Sequence, residues 1–135
     1  MSLRAIPLIV IMFILYNVIV WLFGADILTS GKLFEIQMLS GGVWTFTWGD
    51  FIILMTLILL FIEIVKATYT STSSLIDHGL SMLVFVGCLV EFLMLPMAAN
   101  TVFFLIMIAA LIDVVAGYTI GIRVARRDVS LGGDH

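Results

Sequence analysis

The chain has 135 residues, of which 63% are hydrophobic and only 11% charged, with a formal net charge of −3. Soluble domains carry roughly 45–50% apolar and about 25% charged residues, so this composition excludes an ordinary soluble domain and predicts an all-α integral membrane protein. No basic cluster exists to hold nucleic acid, and a single cysteine, Cys88, leaves neither an intramolecular disulfide nor a cysteine metal site.

A helix needs about 20 mostly apolar residues to cross about 30 Å of hydrocarbon. Four runs meet this, at 6–23, 51–67, 75–95 and 101–122, and they predict a four-transmembrane-helix bundle in one domain. Barrel strands would be about ten residues of alternating polarity, and these runs are continuous and longer. Arg4 before the first run resembles the start of a signal peptide. The run is long, however, and Gly24-Ala25-Asp26 is a poor cleavage site, so the segment reads as a retained first span. Pro7 falls in its first turn, where a missing N–H costs little.

Residues 24–49 form the longest piece between spans. "KLFEIQML" and "VWTFTW" flank Ser40-Gly41-Gly42, and the second alternates large apolar residues with threonine. This pattern predicts a β-hairpin with glycine at the turn, carrying Trp44, Phe46 and Trp48 along one face. An isolated hairpin is marginal in water, so the segment is expected on the bilayer surface or against a partner. An aromatic interfacial anchor is one reading; an element that docks a partner or covers a ligand is the other.

In the second span Glu63 precedes Lys66 by three residues, the spacing of an ion pair on one helix face. The third span opens with Ser74 and Asp77 at capping-box spacing, followed by His78 near the interface. Glu91 lies one turn before Pro96, where it could reach headgroups or the outer segment, and "PMAAN" makes a tight turn into the fourth span. There Asp113 comes 12 residues after Thr101, about 18 Å along the helix. Asn17 in the first span is expected at similar depth, where it could hydrogen-bond Asp113. Asp113 reads either as a protonated structural hydrogen-bonder or as a proton- or ion-coupled site. "LFIEIVKA" and "ALIDVVAG" align Glu63 with Asp113, a weak internal repeat of the kind that frames midplane sites in transporters. Gly117 and Gly121 have G-x-x-x-G spacing, which predicts that the fourth span packs centrally.

Arg4, Lys66, Arg123, Arg126 and Arg127 fall on one side of a four-span arrangement and Lys32 alone on the other. The positive-inside rule then places both termini and the 123–135 tail in the cytoplasm, with 24–49 outside. "RVARRD" reads as a juxtamembrane anchor for anionic headgroups.

No phosphate-binding glycine loop, zinc-ligand spacing or nucleophile–base arrangement is present, so no enzyme, cofactor or metal is expected. In size alone the chain resembles the small multidrug transporters. Asn17 stands where those carry a membrane-embedded glutamate in the first helix, and no site residue is carried over. The leading expectation is a small non-enzymatic protein of a bacterial inner membrane, acting as a homo-oligomer or as an accessory subunit of a larger membrane assembly. One alternative is a proton- or cation-conducting oligomer built on Asp113, with Asn17 beside it, Glu63, Asp77 and His78 at the cytoplasmic mouth, and Glu91 at the outer one. Another is a binder of lipid, quinone or pigment.

Overall fold

The computed structural model describes residues 7–69 and 75–133, with side chains excluded at 69, 75–78, 121 and 123–133. The chain is mostly helical. In order it forms α1 (Ile9–Phe23), a single turn α2 (Ile27–Ser30), β1 (Lys32–Gln37), β2 (Val43–Thr47), α3 (Trp48–Tyr69), α4 (Leu75–Met94), a 3-10 turn (Pro96–Ala98) and α5 (Thr101–Gly133). Two stretches, Trp48–Thr68 and Thr101–Ile120, are long and apolar enough to cross a membrane; Ile9–Phe23 and Gly79–Met94 are shorter apolar helices. All four apolar runs of the sequence are helical, and two of them are long and apolar enough to cross a membrane.

Helix α5 is the central element, packed against α3 and α4 and touching α1. Its inward stripe of Phe103, Ile106, Met107, Ala110 and Val114 follows the 3.6-residue period, and small side chains at Ala109 and Ala110 let neighbours approach. Helix α1 buries Ile9, Met12, Tyr16 and Val20 at the same period, and α3 buries Ile52, Thr56, Leu60 and Glu63. Phe103 joins the stripes, with the Tyr16 ring edge-on at 4.9 Å and Phe92 stacked at 6.4 Å.

The predicted hairpin forms. β1 and β2 pair antiparallel, with Phe34 opposite Phe46, Ile36 opposite Trp44 and Glu35 opposite Thr45. Gly41 takes φ +91°, a conformation that L side chains resist, which is why glycine sits at this turn. Alternation sorts the two faces. Phe34, Ile36, Trp44 and Phe46 share one face, where Phe34 stacks on Phe46 at 4.8 Å and meets Trp44 edge-on at 5.6 Å. A register shift between Lys32 and Phe34 puts Lys32 on the other face, where it pairs with Glu35 at 2.8 Å and the Thr45 hydroxyl donates to the same carboxylate. The Lys32 ammonium holds the exposed Glu35 carboxyl below the usual carboxylate range.

Trp48 does not continue the aromatic face as expected; it is the first residue of α3. The cause is a reciprocal cap. Thr47 N–H donates to Asp50 Oδ2 at 3.1 Å, while Asp50 N–H donates to the Thr47 hydroxyl at 3.3 Å, so the helix starts immediately after Thr47. The Trp48 ring turns instead onto Phe51, edge-on at 5.9 Å.

Candidate functional site

The inward stripes of α3 and α5 carry one acid each, Glu63 and Asp113, both buried at 6% and 7% exposure. The two helices run in the same direction with opposed stripes, and the carboxyl groups come into hydrogen-bond contact. Glu63 Oε1 also accepts the Leu8 N–H at 2.7 Å and the Lys66 ammonium at 3.1 Å. Asp113 is bonded as well by Ser81 of α4. Each of the four long helices thus brings a group to one cluster, with α1 contributing the backbone N–H at its start. Anionic Glu63 is favourably placed there, because the first N–H groups of a helix have no internal partner. Two carboxylates in such contact repel, and the Lys66 ammonium beside Glu63 offsets that repulsion. Chemically it can hold helices together or hold and pass a proton.

The expected Glu63–Lys66 ion pair is present, with the Lys66 side chain 29% exposed and Glu63 at 7%. Asn17 does not meet Asp113. Its amide donates to Phe13 O at 2.9 Å and bonds Glu91 of α4. The reason is axial register: α1 begins at the level of Glu63, and Asn17 lies nine residues after Leu8, about 13 Å farther along. Glu91 accordingly turns inward onto Asn17 rather than toward the outer segment. Its Oε2 is buried and has no hydrogen-bond partner among the described residues.

A second polar cluster was not legible in the sequence. Tyr16 O–H donates to Met97 O at 2.6 Å, and the Asn100 amide donates to the Tyr16 hydroxyl and to Met97 O at 3.2 Å. Asn100 Oδ1 accepts the Phe103 N–H at 3.0 Å and so caps α5. The cap had a readable signal, an asparagine directly before an apolar helical run. The link to Tyr16 had none. Asn100→Ala removes a cap and a buried inter-helix bond, each worth about 1 kcal/mol. A loss of about 2 kcal/mol is expected in detergent unfolding, while Asn100→Asp, which keeps the cap, should lose about half as much.

Asp77, His78 and the Ser74 cap lie outside the described side chains, as does Gly121; Gly117 is half-buried on α5. Trp44 is half-exposed and Phe46 buried on the aromatic hairpin face. Cys88 is a buried free thiol, and no group of three potential metal ligands occurs among the described residues. Comparison with protein-family models, with curated proteins and with solved structures finds no match.

Proposed function

We propose that this is a four-span inner-membrane protein, both termini cytoplasmic, that acts without catalytic chemistry as a homo-oligomer or as an accessory subunit of a larger membrane assembly. The observation that carries the reading is the distribution of polarity. Large apolar side chains face outward on every long helix, among them Trp21 (80% exposed), Phe61 (67%), Leu83 (66%) and Leu93 (70%). Thr56, Glu63 and Asp113 face inward. Only 17% of the apolar α3 window is buried, unlike a core helix of a soluble protein. Such an apolar exterior is untenable in water and calls for lipid or a protein partner. The acids inside are engaged with groups from other helices, which suits a fixed scaffold. The chain should stay in the membrane pellet through an alkaline carbonate wash. Native mass spectrometry after gentle extraction should find a discrete homo-oligomer or a stable complex with another membrane protein; a lone monomer would overturn the reading.

The Glu63–Asp113 contact favours a second reading, proton conduction through the oligomer. Asp113→Asn distinguishes the two. The amide still hydrogen-bonds Ser81 and Glu63, so a scaffold should lose no more than about 1 kcal/mol. A proton path through this pair would instead lose at least about 100-fold in proton flux across liposomes, because an amide does not ionise.

A further inference from the structure

Strand β1 is exposed along all six residues, and no strand among the described residues pairs with its outer edge. The hydrogen-bond phase of the hairpin decides which groups that edge presents. Met38 N–H donates to Gly42 O at 2.7 Å, and the register carries this phase back through Ile36 opposite Trp44 and Phe34 opposite Phe46. Bonded positions alternate in an antiparallel pair, so the backbones of Phe34, Ile36 and Met38 turn toward β2. The N–H and C=O groups of Glu35 and Gln37 therefore point away from it. An edge of such groups is a template for a further strand, and two strands alone are marginal. Phe34, Ile36 and Met38 also leave apolar surface half-exposed along the same edge.

We propose that a second copy of this chain supplies the missing strand. β1 pairs antiparallel with the partner's β1 about a two-fold axis at Ile36, joining two hairpins into one four-stranded sheet. This rests on the homo-oligomer proposed above and names its interface. Self-complementarity selects the occupant and the register. Centred on Glu35, a two-fold pairing would set two carboxylates directly opposite each other, which is destabilising. Centred on Gln37, it would set Glu35 against the partner's Leu39 in the turn. Centred on Ile36, Glu35 and Gln37 each meet the other in the partner, exchanging four backbone bonds and giving each carboxylate a carboxamide donor. On the apolar face Ile36 meets the partner's Ile36, and Phe34 meets the partner's Met38. Lys32, held by its own Glu35 at 2.8 Å, lies beyond the paired stretch. The symmetry also suits a membrane. The axis of such an edge pairing stands perpendicular to the sheet, so both aromatic faces turn to the same side. Two copies in one bilayer share an axis along its normal, and both faces then rest on the same bilayer surface.

The test uses the full chain with Cys88→Ser in phosphatidylcholine–phosphatidylglycerol bilayers, oxidised with copper–phenanthroline. Ile36→Cys puts two thiols on directly opposed residues whose Cα atoms stand about 4.5 Å apart, within disulfide reach. Val43→Cys, three strand spacings from its copy, is separated by about 14 Å, and Leu39→Cys, six residues along, by about 20 Å. Disulfide-linked dimer should form at least about tenfold faster at Ile36 than at either control. Gln37→Pro deletes an outward N–H that the hairpin does not use, and should slow the Ile36→Cys reaction about tenfold, one bond being lost from each copy. Equal rates at positions 36, 39 and 43 overturn the proposal without any change to the strand backbone. So does a rate at position 36 that is indifferent to Gln37→Pro. Native mass spectrometry separates the two levels of the argument. An oligomer or a complex with another membrane protein, found without the cross-link at position 36, removes this inference alone; a lone monomer removes the oligomeric reading with it.

Discussion

Glu63→Ala is expected to destabilise the fold by about 2–3 kcal/mol. One oxygen of this carboxylate accepts both the Leu8 N–H and the Lys66 ammonium, and the group also contacts Asp113. Truncation strands the start of α1 without an acceptor and leaves Lys66 without its nearest anion. Breaking a fully buried pair costs about 3–5 kcal/mol, and single hydrogen bonds between membrane helices average about 0.6 kcal/mol. The expected value sits between these because the Lys66 side chain is 29% exposed and so is not a fully buried charge. Glu63→Gln keeps an acceptor for both donors and should lose only about 1 kcal/mol. Unfolding titrations in mixed micelles measure both. A loss under about 0.5 kcal/mol for the alanine variant would mean that α1 is held by apolar packing alone.

Gly49→Ala should cost a similar amount, about 2–3 kcal/mol, by a steric route. A Cβ at this position would stand 2.6 Å from Leu28 O and 3.1 Å from a Val102 methyl. The first is a backbone atom, so relief requires α2 to move off the start of α3. The hairpin follows, since Trp48 N–H bonds Gly31 O at 3.0 Å and closes the base of the two strands. Limited proteolysis should report the change as faster cleavage within 24–49. Gly42→Ala is the matched control. Its Cβ would meet only the Ser40 hydroxyl, at an ordinary 3.5 Å, and stability should change by less than about 0.5 kcal/mol. Equal protease resistance in the Gly49 and Gly42 variants would show that α2 is free to give way.

Features of short range were legible from the residues. Apolar runs this long and without alternation favour helices, which satisfy their own backbone hydrogen bonds within the segment. Ser40-Gly41-Gly42 between alternating segments specified the hairpin turn, and the i, i+3 spacing of Glu63 and Lys66 specified their pairing. In each case the information lies within a few residues of where it acts. The Thr47–Asp50 cap was equally local, and the aromatic alternation running through Trp48 concealed it.

Side-chain partners across helices were decided only by the tertiary structure. A helix that is apolar on every face does not state which side turns inward, and nothing in its sequence sets its axial position against a neighbour. Asn17 and Asp113 both looked deep when counted along their own helices. The anchoring of α1 at Glu63 moved Asn17 up to Glu91 and left Asp113 to Glu63, Ser81 and Lys66. The Tyr16–Asn100 link arises from the same register. The sequence by itself thus determined which segments are helical and which residues would be costly to bury. Which of those residues meet was settled by helix rotation and register, which only packing among all four long helices can fix.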